Sequence, residues 1–260
     1  MSIAISDPRS RGIQRVNPVA KLAAAFLLAL TLVLTLDWVS ATVALALESI
    51  LFIWAGVSWR QFWLRTLPAW IAAPVVAVTI TLYGRATGHS YFHWLLIDVT
   101  TGSITLAIAT ALRILAIGLP AIVLFITIDP TDLADGLAQV VKLPSRFVLG
   151  SLAALRLMGL FMDDWRSLER ARRARGIADR GRIRRFGSQA FALLVLSIRR
   201  GSKLATAMEA RAFGAPIRRT WARESRFGAA EWVVVGLGAL ICATAVTVSV
   251  LTGHWNFIGA

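Results

Sequence analysis

Two triplets, Ala174-Arg175-Gly176 and Ala210-Arg211-Ala212, set an arginine between small residues at two places 36 positions apart. Arginine carries a permanently charged, planar fork of donors that pairs in two-pronged fashion with a carboxylate. Small neighbours remove bulk, so another protein's surface can approach the backbone closely. The combination suits docking into an acidic groove. The first triplet lies in the arginine-dense run LERARRARGIADRGRIRR (168–185). Retention of basic loops on the cytoplasmic side of a membrane, and contact with anionic headgroups, account for most of that run. Repetition in the same context singles out Arg175 and Arg211.

Other ionisable groups offer less. Glu48 and Arg113 lie inside apolar stretches, where a charge normally faces the protein interior and finds a partner. An ion pair between them is one reading; separate satisfaction by hydroxyls or backbone is the other. His89 and His93 are four apart, without nearby acids, which is a weak metal signal, and His254 stands alone. No metal site is expected. The single cysteine, Cys242, excludes a disulfide framework. Asp163 and Asp164 are adjacent, so their side chains diverge by about 100° around a helix. Asp132, Asp135 and Gly136 faintly resemble the acids of membrane lipid phosphotransferases but lack the further aspartates of that pattern. A glycine-rich phosphate loop ending in Lys-Ser or Lys-Thr is absent from the sequence. The arginine run has no interleaved aromatics for base stacking, so a nucleic-acid partner is not expected.

The elements that must position these residues are those of a membrane protein. The 260 residues are 57% apolar, against about 45–50% in soluble chains. Five stretches are long and apolar enough to cross a bilayer: 21–36, 39–57, 67–83, 104–128 and 232–251. Asp37 and Trp38 turn between the first two, Pro74 is expected to kink the third, and 84–103 reads as a loop. Arg9, Arg11, Arg15 and Lys21 before the first span, and Arg60 and Arg65 before the third, place the N-terminus inside. The stretch 166–226 holds 17 Lys or Arg and 4 Asp or Glu, nearly all of the chain's net +14.

Three helices are expected between the fourth and last spans. A short amphipathic one over 129–144 has Asp129 or Thr131 as its cap and Pro130 at its start. A long one over 145–176 turns from apolar to basic after Met162 and is capped by Gly176. The third, 188–216, repeats that design and ends at Gly214 and Pro216. The reading is an all-α, polytopic membrane fold: 1–128 with four spans, 129–228 with the basic helices, and 229–260 with the last span.

These residues resemble the transmembrane T component of energy-coupling factor transporters, the cobalt- and biotin-type permease family. The likeness rests on NPVAKL (17–22), ALRILAIGLPAIVLFITIDPTDLADGL (111–137), RRARG (172–176) and AMEARAFG (207–214). It implies a non-catalytic subunit of an ATP-driven prokaryotic importer of vitamins or transition-metal ions, set in the plasma membrane with 129–228 cytoplasmic. It implies two ABC-type ATPase subunits, where ATP and Mg are bound, and a small substrate-binding membrane subunit as partners. By position, Ala174, Arg175 and Gly176 would dock on one ATPase and Ala210, Arg211 and Ala212 on the other. Ala212 departs from the family's commoner glycine, which leaves that end less backbone freedom. A conventional ABC permease subunit is the nearest rival, through the coupling-loop-like LADGLAQVVKLP (133–144).

Overall fold

The computed structural model describes residues 16–35, 37–55, 59–84, 87–94, 97–176, 181–215, 220–253 and 255. Arg9, Arg11, Arg15, Pro216 and His254, and the end of the second expected span at 56–57, lie outside them. Eight helices and one hairpin follow in order among the described residues: α1 (Pro18–Leu34), α2 (Trp38–Ala55), α3 (Trp59–Tyr83), β1 (Ser90–Trp94), β2 (Ile97–Thr100), α4 (Thr101–Ile126), α5 (Pro130–Gln139), α6 (Ser145–Ala174), α7 (Arg182–Ala210) and α8 (Ala229–Leu251). They group into two compact units, one of residues 1–133 with 226–260 and one of 134–225.

In the first unit, α1, α2, α4 and α8 meet at Leu28, Leu32, Ala44, Ala116, Ile241 and Ala245. Small side chains let the backbones approach, the usual way apolar helices associate without a hydrophobic driving force. Gly238 of α8 marks the closest approach: a Cβ there would lie 3.1 Å from Ala24 Cβ and 3.2 Å from Ala24 Cα. Large apolar side chains such as Phe26, Ile50, Val75, Phe125 and Leu240 point outward, as lipid contact requires. The hydroxyls of Thr31, Thr66, Thr79, Thr110, Thr244 and Thr247 donate to carbonyls one turn back. Each thus finds an acceptor within its own helix.

Local chemistry explains where the elements begin. The Asn17 side chain accepts from Val19 N at 3.0 Å and Pro18 fills the first helical position, so α1 starts there. Thr100 and Ser103 form a reciprocal capping box that starts α4 at Thr101. The expected loop over 84–103 therefore contains structure: β1 and β2 pair antiparallel, with His93 opposite Asp98 and Trp94 opposite Ile97. Aromatic and β-branched residues on both arms favour the pairing. Helix α3 begins eight residues before the expected span, so Arg60 and Arg65 are helical, and Pro68 and Pro74 both lie inside it.

Among the described residues, four helices are long and apolar enough to cross a membrane: Phe62–Tyr83, Thr101–Phe125, Ser145–Ala174 and Ala229–Leu251. The first two expected spans form shorter apolar helices, Pro18–Leu34 and Trp38–Phe52. Helix α6, expected among the basic helices, qualifies through its apolar first half. Its 30 residues extend about 45 Å, beyond the roughly 30 Å of a hydrocarbon core.

The second unit has its core at Ala134, Ala138 and Val148, with Leu137, Leu152 and Trp221 against them. Gln139 ties the returning chain down. Its Nε2 donates to Arg223 O at 2.8 Å and its Oε1 accepts from Ser225 N at 2.9 Å. Asp129 caps α5, accepting from Thr131 N at 2.7 Å. Helix α7 starts at Arg182, six residues before the expected third helix, so the end of the arginine run belongs to it. Phe147, Leu155, Met158 and Met162 of α6 and Phe186, Phe191, Leu194 and Ile198 of α7 remain exposed.

Candidate docking site

Helices α6 and α7 run antiparallel. Near their connection, Arg172 Nη2 donates to Ser188 Oγ at 2.9 Å, and Arg185 pairs with Glu169 at 2.7 Å. Toward the other end, Gly214 lies against Arg146: a Cβ there would be 3.4 Å from Arg146 Cδ. The two Ala-Arg triplets, one at the C-terminus of each helix, thus sit at opposite ends of the pair. With α6 about 45 Å long, they are on the order of 40 Å apart.

The two ends share a backbone conformation. Arg175 caps α6 with φ −89° and ψ 3°, and Arg211 caps α7 with φ −96° and ψ 17°. The next residue is left-handed in both: Gly176 has φ +67° and Ala212 φ +52°. Gly176 N donates to Arg173 O at 3.0 Å, and Ala212 N to the corresponding Glu209 O at 2.9 Å. At the second end Phe213 N closes the larger ring onto Met208 O at 2.9 Å, which completes a Schellman cap. Ala212 holds this conformation with a Cβ, at a cost of about 1–2 kcal/mol relative to glycine. The third residue of the triplet is small because the helix ends in a left-handed turn.

All six triplet residues are exposed. Neither the Arg175 nor the Arg211 side chain makes a hydrogen bond or ion pair among the described residues. Several surrounding arginines do. Arg173 and Arg185 share Glu169 at 2.7 Å, Arg200 reaches Asp164 at 2.6 Å, Arg172 holds Ser188, and Arg166 stands 3.7 Å from Asp163. Arg184 and Arg199 are exposed as well, but they lie within α7 rather than at its end.

No ion pair joins Glu48 to Arg113 among the described residues. Arg113 Nη2 donates to the Thr35 carbonyl at the α1–α2 turn. Glu48 lies eleven residues past Asp37 along α2, about 16 Å farther from that turn. It is 2% exposed, and both its carboxylate oxygens are without a hydrogen-bond partner among the described residues. His89 packs against Tyr91 with ring centroids 5.3 Å apart and planes tilted by 56°, and no group of three metal-ligating side chains occurs among the described residues.

Two polar clusters escaped the sequence reading. Asp37, taken there as a turn residue, is buried and accepts from Ser40 N and Ser40 Oγ at 2.7 Å and from Ser249 Oγ at 2.5 Å. It caps α2 and binds the far end of α8. Lys21, taken as a flanking basic residue, has no exposure at all. Its Nζ donates to Thr127 O at 3.2 Å and Thr127 Oγ1 at 3.1 Å. An Asn-Pro helix start was the signal available for Asn17. Nothing local marks Lys21 or Ser249, whose partners are far away in sequence.

Long apolar helices, lipid-type packing and exposed arginine-tipped helix ends define a multi-pass membrane protein. The profile of the CbiQ family, described as cobalt transport protein, matches residues 9–221, and the chain belongs to that family. Curated relatives carry the name energy-coupling factor transporter transmembrane protein EcfT. The protein of Limosilactobacillus fermentum is 28% identical over 68% of this chain and 73% of its own. Those of Lacticaseibacillus paracasei and Bacillus selenitireducens are 25% and 26% identical, over 88% and 91% of this chain and 91% and 92% of theirs. The chain is a transmembrane energy-coupling component of this transporter type, not an enzyme.

Proposed function

We propose that this chain joins two ABC-type ATPase subunits to a small substrate-binding membrane subunit in an importer of vitamins or transition-metal ions. ATP and Mg belong to the ATPases; this chain holds no cofactor. The single observation that carries the reading is the pair of matched helix ends. Arg175 and Arg211 cap their helices in the same conformation, stand exposed about 40 Å apart, and have no partner among the described residues while several nearby arginines are engaged. Each end suits one acidic groove on a separate subunit. The apolar faces of α6 and α7 suit the substrate-binding subunit, and the charge of 166–226 favours the cytoplasmic side for 129–228 and for the N-terminus.

Affinity purification of the tagged full-length chain from its native host tests this directly. ATPase subunits should accompany the wild type, and Arg175→Glu or Arg211→Glu should lose most of the bound ATPase. Arg175→Lys should also fail, because lysine lacks the fork, whereas Arg184→Lys should bind normally. Wild-type recovery of ATPase by both glutamate variants would remove the docking assignment.

A further inference from the structure

The chain leaves the first unit after Leu133 and returns to it at Arg226. One short segment, Asn17 to Lys21, grips both crossings. On the outgoing side, Lys21 Nζ holds both oxygens of Thr127, the C-cap of α4, three residues before α5 begins. On the returning side, Asn17 Nδ2 donates to Arg226 O at 3.0 Å. Asn17 N donates to Glu231 Oε1 at 3.2 Å, and Glu231 Oε2 accepts from Gly228 N at 2.8 Å. Asn17 is 7% exposed and Lys21 wholly buried, so neither contact is a casual surface bond.

The charge at position 21 is the informative feature. A buried ammonium costs several kcal/mol of desolvation, and an apolar side chain would fill the same space without that cost. What the lysine adds is a donor that fixes the end of α4 by two bonds. Asn17, the residue that caps α1 four positions earlier, adds a donor that fixes the start of α8. Each is a poor choice for packing and a good one for holding another segment's backbone.

We infer that Asn17 and Lys21 are positioning residues, a clamp that fixes both crossings and so carries motion of unit 134–225 into α4 and α8. The clamp stands on geometry alone; its part in transmission rests on the coupling function proposed above.

Two variants separate its halves in the full-length chain held in lipid nanodiscs. Asn17→Ser keeps a side-chain oxygen to cap α1 but loses the longer amide that reaches Arg226 O. Lys21→Met keeps the stem and loses the ammonium. Amide hydrogen exchange should rise about fivefold over 224–232 in the first variant and over 124–133 in the second, with α3 unchanged. A rise spread over the whole chain, or none at either crossing, overturns the clamp. For transmission, the complex with its co-purifying ATPases is locked with ATP and vanadate. The wild type should change its exchange in α4 and α8; the double variant should lose that response while α6 and α7 still respond. Persistence of the response in α4 and α8 overturns the transmission role. Absence of ATPase from the wild-type preparation refutes the proposed function instead, and the nanodisc arm judges the clamp independently.

Discussion

The matched helix ends make opposite predictions for one pair of substitutions. At Gly176 the backbone is left-handed with φ +67° and a Cβ would meet nothing within 4 Å. Gly176→Ala therefore adds no clash, and its whole cost is the left-handed conformation, about 1–2 kcal/mol. At Ala212, with φ +52°, that cost is already present, and Ala212→Gly removes it. Glycine loses more backbone freedom on folding, which returns part of the gain, so about 1 kcal/mol should remain at each end with opposite sign. The affected bonds are the cap bonds: Gly176 N to Arg173 O in α6, and Ala212 N to Glu209 O and Phe213 N to Met208 O in α7. One kcal/mol is about a fivefold change in a local opening constant. Hydrogen exchange of the purified chain in nanodiscs reads this directly. Peptides ending α6 should exchange about fivefold faster in Gly176→Ala, and those ending α7 about fivefold slower in Ala212→Gly. Changes of the same sign at both ends, or no change at α7, would refute the claim that Ala212 is strained.

Two further substitutions probe the membrane helices. Gly238→Ala would place a Cβ 3.1 Å from the Ala24 Cβ and 3.2 Å from its Cα, so the α1 backbone has to give by a few tenths of an ångström; thermal unfolding should fall by several degrees, for a cost of about 1–3 kcal/mol. A midpoint that stays level or rises, as helix propensity alone predicts, would show that the contact is not tight. Glu48→Leu should raise the midpoint, since it removes a buried carboxyl whose two oxygens make no hydrogen bond, worth about 1–3 kcal/mol. A fall on Glu48→Leu, restored by Glu48→Gln, would reveal a hydrogen-bonding role for that side chain.

Much of this architecture was legible because its signals are local. Asp129 before Pro130 and glycine at 176 announce a helix start and an end through chemistry confined to a few residues. The β-hairpin was missed because its pairing runs between two short arms, and the polar residues among them read as loop. The early starts of α3 and α7 were missed because their basic first turns break the apolar pattern while leaving the helix intact. The same weakness misjudged Lys21. At the edge of an apolar stretch a lysine looks like a flanking charge, and only the return of Thr127, over a hundred residues later, makes it an interior one.

The arginine run shows how far composition can mislead about role. Its charges look interchangeable in sequence, yet within the described residues they divide by what holds them. Glu169 lies four residues before Arg173 on α6 and also receives Arg185 from α7, so one acid engages two arginines and stitches the helix pair together. Asp164 does the same for Arg200. These pairs are partly exposed, and each contributes on the order of 1 kcal/mol or less. Their larger effect is on availability: an arginine already bound to an internal acid must break that bond before it can reach another protein. Arg175 and Arg211 have no such bond among the described residues, and the helix cap fixes the backbone from which each extends. A docking surface therefore needs the surrounding acids as much as the docking arginines. Acids that occupy neighbouring forks leave fewer of them free, and of the described arginines without an acid, Arg175 and Arg211 are the ones that cap a helix C-terminus.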